Sequence, residues 1–435
     1  MKINFAETLY DKLNNEEDAR VCKDIDDDAC QWAPKNYFSL LLSNTVTKLG
    51  DTLSNPKTVL AWIMSLVNAP VYLISFIVPI RESGSMLPQI IIASYIRTKE
   101  KRKWVYVIGA MLQSASIAAI GFTTLYTDGS LAGWLIIIFL ISFSLSRGLC
   151  SVASKDVLGK TIPKTRRGKL KGYTVAVSGV LVLAAGLFMI YQSKKDVGIE
   201  FYAYTIFFAS SLWIISAIIY AQIKEFPGET SGGRNGWKEA MDRMGIVKSD
   251  AHFRKFIIAR SLLLCSALTA PFYVLLAQNQ MGKQAYILGL FIIANGLASV
   301  LSAPFWGKFA DRSSKNVMAV AAAITAFLGI TVFVVVMFVP SLRDSYWLYP
   351  VAYFILGIAH SGVRLGRKTY VVDMASGNKR TDYVAVSNTL IGAILLITGG
   401  ISALASLISM EGIILVLSLF GLLGAYRSYR LPDVE

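Results

Sequence analysis

Residues 284–338 read QAYILGLFIIANGLASVLSAPFWGKFADRSSKNVMAVAAAITAFLGITVFVVVMF. Two apolar runs, starting near 284 and 316, flank a short turn that holds Lys308, Asp311, Arg312 and Lys315. About 20 mostly apolar residues suffice to cross a bilayer, and each run is long enough. Hydrocarbon offers no partner to a bare backbone amide, so such runs must be helices. The stretch therefore reads as a hairpin of two membrane helices with a charged turn at one surface.

The same pattern extends in both directions. Runs begin near 38, 70, 104, 131, 172 and 201 in the first half of the chain, and near 255, 346, 384 and 411 besides these two in the second. Twelve spans result, six on each side of a polar stretch at 223–254 that contains Pro227-Gly228 and Gly232-Gly233. Within that stretch Trp237, Ala240, Met241 and Met244 predict a short amphipathic helix at the membrane surface. Residues 1–36 carry Glu16, Glu17, Asp18, Asp24, Asp26, Asp27 and Asp28 and read as an acidic, solvated tail with a short helix around Ala6–Leu13. The expected layout is thus a tail at 1–36, helical bundles at 37–222 and 255–428 joined by the linker, and a short terminus at 429–435.

Composition agrees with this layout. The chain is 54% apolar and 16% charged, against about 25% charged for soluble domains. A net charge of +15 raises nucleic acid as a partner, but its distribution argues against that. Basic residues crowd alternate loops, at Arg97–Lys103, Lys160–Lys171 and Arg234–Lys255, while the intervening loops carry little beyond Lys194, Lys195, Lys283 and Arg343. This alternation places both termini in the cytoplasm of a multi-pass protein of the plasma membrane. Four cysteines (Cys22, Cys30, Cys150, Cys265) suggest no disulfide framework, and two histidines cannot build a usual zinc site. The polar, acidic first residues argue against a cleavable signal peptide.

The halves repeat each other. Pro88–Arg97 and Pro304–Arg312 each end a second helix and open a basic turn, and a shift of about 213 residues aligns Lys164–Arg167 with Gly377–Arg380. Such repetition marks several kinds of secondary transporter. The turn Gly307-Lys308-Phe309-Ala310-Asp311-Arg312-Ser313-Ser314-Lys315 resembles the signature turn of the major facilitator superfamily, with Ser314 in place of the second Gly. Its counterpart, Ala93–Lys101, keeps only the basic character. The resemblance implies an all-α membrane fold of twelve transmembrane helices in two pseudo-symmetric six-helix bundles. It also implies that Gly307, Asp311 and Arg312 latch the halves in the outward-facing state, and that the first, fourth, seventh and tenth helices line a central cavity. Arg147-Gly148, followed by Ser151, Ala153 and Ser154, resembles a second motif of that family. Helix five has Gly179 and Gly186 but no Gly-Pro pair, which counts against proton-driven drug export.

The remaining signal is charge inside the spans. Helix two carries Arg81-Glu82-Ser83-Gly84-Ser85-Met86-Leu87-Pro88-Gln89, two charges before a Gly and a Pro, as in a kinked or unwound helix. Adjacent residues point about 100° apart, so Arg81 and Glu82 engage different partners. Lys48 and Asp51 share one face of helix one, either paired with each other or facing a wet cavity, and His360 and Arg364 lie a turn apart on helix ten. Arg260 reads as an interfacial residue near the end of helix seven. Each charge at mid-bilayer costs roughly 2.5–3.5 kcal/mol. Six such charges unpaired would cost on the order of 15–20 kcal/mol, at or above a typical folding stability, so they are paired or hydrated.

The cations outnumber the carboxylates, which suits an anionic solute. The expectation is a monomeric, proton-coupled secondary transporter of a small organic anion. Arg81, Arg147, His360, Arg364 and Lys48 would bind the solute, and Glu82 or Asp51 would carry the proton. No cofactor or metal is called for, and no hydrolase or metalloprotease motif points to an enzyme. Export of a drug or metabolite, and a transporter-like receptor or scaffold using its acidic tail, stand as alternatives.

Overall fold

The computed structural model describes residues 25, 27–192, 197–228, 230, 244–374, 377–406 and 409–434. The predicted tail helix at Ala6–Leu13 and most of the surface helix around Trp237 lie outside them, as do Lys194 and Lys195. Ten described helices are long and apolar enough to cross a membrane. They supply spans three (Lys103–Tyr126), four (Gly129–Thr161), five (Lys164–Gln192) and six (Ile199–Ala221). They also supply spans eight (Ala285–Ala310), nine (Ser314–Phe338), ten (Leu348–Asp373), eleven (Gly377–Ser406) and twelve (Met410–Tyr429), and the composite span seven (Ala251–Met281).

The first two spans are present in pieces. Span one is Ala33–Leu53 followed by Val59–Leu66, and span two is Val71–Met86 followed by Gln89–Arg97. The break after Leu53 falls at Asn55-Pro56, where proline restricts the residue before it to extended backbone. The break in span two falls at Leu87-Pro88, where the sequence predicts it. Span one also begins at Ala33, after a short helix at Asp27–Gln31, so its helix reaches back into the expected acidic tail. Cys150 and Cys265 are free and buried, while Cys30 is disulfide-bonded, a cross-link its spacing did not suggest.

Helix ends follow local chemistry. The Asp250 carboxylate accepts from the backbone N–H groups of His252 and Phe253 and opens span seven. Ser313 and Ser409 cap spans nine and twelve in the same way. Gly282 closes span seven at φ +85°, a conformation that favours glycine.

The packing repeats in step with the sequence. Span three packs on four and six, and nine packs on ten and twelve; span two packs on four, and eight on ten. Between the halves, two packs on eleven and five packs on eight. At these crossings the backbones come very close. A Cβ on Gly289 would lie 2.8 Å from the Gly186 carbonyl oxygen, and one on Gly399 would lie 2.5 Å from Pro79.

The basic loops of the first half share one face. Glu225, its side chain fully buried, accepts from the backbone N–H groups of Arg102 and Lys103 and pairs with Lys160 at 3.2 Å. Asp156 adds ion pairs to Arg102 and Lys160. On this basic face the apolar core is divided. One cluster, with Tyr37, Leu40, Tyr106 and Tyr220, belongs to the first half, and another, with Phe253, Phe256, Trp306 and Tyr370, belongs to the second. On the opposite face a single cluster joins Trp62, Leu73 and Trp213 to Phe272, Tyr273 and Phe291. Gln278 donates to the Trp62 carbonyl (3.3 Å) and Lys283 to the Ser65 carbonyl (2.7 Å) across that seam. Among the described residues, one face is sealed by a shared apolar core, and the two core clusters of the basic face stay separate.

Candidate functional site

Asp51 is the centre of the buried charge. Arg147 grips its carboxylate in a two-pronged contact, at 2.6 Å and 2.5 Å. Arg81 reaches the same carboxylate at 3.4 Å and lies 4.8 Å above the Phe143 ring. The sequence allowed an ion pair between Lys48 and Asp51. Lys48 is instead exposed and makes no such pair, because a planar guanidinium matches a carboxylate better than an ammonium does. Arg81 and Glu82 do diverge as their spacing requires. Glu82 has no ion-pair partner within 4 Å among the described residues, and the charges acting on it are Lys57, Arg81, Arg367 and Arg364.

Lys57 escaped the sequence reading. It sits in the break of span one, where the Asn55 side chain accepts from its backbone N–H at 2.8 Å. Its Nζ lies 2.9 Å from His360 Nε2, and His360 Nδ1 lies 3.1 Å from Ser266 Oγ. Tyr353 donates to the Lys57 carbonyl. This chain ties span one to spans seven and ten near mid-membrane. The Asn55-Pro56 dipeptide, a turn signal inside an apolar run, marks the place.

Toward the basic face the halves part around a cavity of about 410 Å³. Ser85, Gln89, Ser151 and Lys155 line it from the first half, and Arg260, Arg367, Lys368 and Asn388 from the second. Arg260 is only 5% exposed and donates to Ser387 and Asn388, so it is a buried wall residue and not an interfacial one. Arg364 is exposed one turn before Arg367. The sequence singled out none of the lining residues for binding, and Arg364, which it did single out, is not one of them. Arg367, Lys368 and Lys155 fall near the ends of their helices, where basic residues read as membrane anchors.

Within the turn at 307–315, the three expected latch residues are open or exposed. A Cβ on Gly307 would meet nothing within 4 Å. Asp311 and Arg312 are exposed and form no ion pair among the described residues. Lys315 pairs with Asp433 at 3.0 Å.

Solved structures share this architecture at low sequence identity. The nucleoside transporter NupG (D323A mutant) aligns with a TM-score of 0.68 at 13% identity, covering 91% of this chain and 99% of that one. A D-xylose-proton symporter gives a TM-score of 0.70 at 14% identity over 92% and 98% of the two chains. The inward open form of the xylose transporter XylE from E. coli gives 0.67 at 12% identity over 92% and 96%. No curated protein sequence matches the chain. The family model of the Major Facilitator Superfamily matches residues 39–339 and 284–434. The chain therefore belongs to the Major Facilitator Superfamily and is a multi-pass membrane transporter.

Proposed function

We propose that the protein moves a small organic anion across the plasma membrane, coupled to protons, by opening its two faces in turn. The observation that carries this reading is the cavity wall, which among the described residues holds four cations and no carboxylate. The basic loops support a cytoplasmic assignment for the face that carries them. The chain ends go with it: Tyr37 packs in its first-half core, and Tyr370 donates to the Pro432 carbonyl.

Asp51 is neutralised by two arginines in this state, which makes Glu82 the freer proton carrier. An anion that occupies the cations acting on Glu82 takes those partners from it, so the carboxylate takes up a proton as the solute binds, which couples the two fluxes. The solute enters past Lys155 and Lys368 to Arg364 and Arg367, with Lys48 and the Arg81 and Arg147 cluster beyond. Closing the basic face brings a helix against the open side of Gly307 and engages Asp311 and Arg312. One chain contains the whole path, so a monomer suffices.

The test is uptake and efflux of labelled organic anions in proteoliposomes under an imposed proton gradient. Anion flux should respond to the gradient in the wild type and lose that response in Glu82→Gln. Flux of neutral solutes alone, or an unchanged gradient response in both Glu82→Gln and Asp51→Asn, would sink the proposal.

A further inference from the structure

Lys155 stands on span four of the first half, and Lys368 stands on span ten of the second, on opposite walls of the cavity. Lys155 is near enough for its charge to act on Lys368. Arg367 and Arg260 add to the second wall. The Nε of each is buried and has no hydrogen-bond partner. Among the described residues, Asn388 donates to Gln89 across the cavity at a long 3.5 Å.

This arrangement poses an electrostatic problem for closure. When the basic face shuts, two cationic walls must approach each other while water leaves. Like-charge repulsion then grows, because the effective dielectric falls. A neutral solute leaves that repulsion intact. A monoanion cancels one wall and leaves the other unpaired, which is costly in a dehydrated cleft. A solute with two negative charges on separate oxygens can hold Lys155 with one end and Arg367 or Lys368 with the other.

We infer that this cavity selects small dianions, of the dicarboxylate or phosphate-monoester class, and that bridging Lys155 to Arg367 and Lys368 is what permits the basic face to close. The inference rests on the anion-transport reading and sharpens it. Guanidinium forks suit such oxygens, and the two arginines on the second wall supply them. The bridge makes closure depend on solute, so an empty cavity stays open.

The experiment uses the full chain in phosphatidylcholine nanodiscs. Thermal stabilisation is measured with succinate, acetate, chloride and glucose at equal ionic strength and neutral pH. Spin labels at exposed Lys164 and Arg254 report the width of the basic face. Succinate should stabilise at a concentration about tenfold below acetate and should shorten the label distance. Lys155→Gln and Lys368→Gln should each weaken succinate by about tenfold and abolish the shortening. Lys155→Arg should preserve both, and Lys255→Gln, which removes a charge outside the cavity, should change neither.

Equal effects of acetate and succinate, with Lys155→Gln unaltered, overturn the dianion bridge while the anion reading survives. Stabilisation by glucose and by no anion overturns both. Closure on adding phosphatidylglycerol to the nanodisc, without succinate, assigns the wall to a lipid headgroup and overturns the solute proposal.

Discussion

Asp51 accepts from two arginines, one of them through both oxygens. Removing its charge leaves Arg147 and Arg81 facing each other. Asp51→Asn should therefore lower stability by about 2 kcal/mol, in the range for hydrogen bonds to charged groups. Adding Arg147→Gln should recover part of the loss, the mark of a direct pair in a double-mutant cycle. Melting of the four proteins in detergent checks this, and strictly additive losses would count against the pairing. Outside the membrane, Asp250 accepts from Tyr383 and two backbone amides. These bonds, Tyr383's first, hold its carboxyl below its ordinary value. A depressed folded pKa contributes stability above the unfolded value of about 3.9 that is lost as pH falls through the folded one. Asp250→Ala should cost about 1 kcal/mol at neutral pH. The gap between the two melting curves should close as the medium is acidified below that range, and a pH-independent gap would refute the assignment.

At the scale of elements, the contrast between two glycines is testable. Gly289 has no room for a Cβ beside the Gly186 backbone, whereas Gly307 has open space. Gly289→Ala should destabilise by about 1–3 kcal/mol through overpacking. Gly307→Ala should be neutral, or stabilise by up to about 1 kcal/mol from helix propensity, yet slow transport if a helix closes there. Thermal melts paired with flux assays separate the two effects. Much of this level was legible beforehand. The apolar runs located the spans, Pro88 located the break in span two, and the repeat foretold pairings that recur between the halves. Asp51, Arg81, Glu82 and Arg147 stood out as charges inside apolar runs. What escaped was partnership across distance. Nothing local told that Asp51 would prefer Arg147 to Lys48, or that Lys57 would meet His360 some three hundred residues away. Arg367, Lys368 and Lys155 were hidden because a cation near a helix end satisfies the membrane whether or not it lines a cavity.

For the whole molecule, the divided core on the basic face and the joined core opposite define an accessibility pattern. A cysteine replacing Ser85, in the cavity wall, should react with a membrane-impermeant maleimide applied from the basic side. One replacing Gln278, which is 3% exposed and bonded to Trp62, should resist reagent from either side. Equal labelling of both would mean that this state is not the resting one.

The two faces also differ in what holds them shut. The sealed face is closed by aromatic and aliphatic side chains such as Trp62, Tyr273 and Phe291, while the walls that must meet on the other carry Lys155, Arg367 and Lys368. Apolar contact weakens on cooling, and interactions between charges weaken with added salt. Cold should thus loosen one gate, and electrolyte should weaken the solute bridge that closes the other, so that a single cycle answers to two independent solvent variables. A chill would strand the carrier with the first gate slack, and brine would strand it with its solute unbridged at the second.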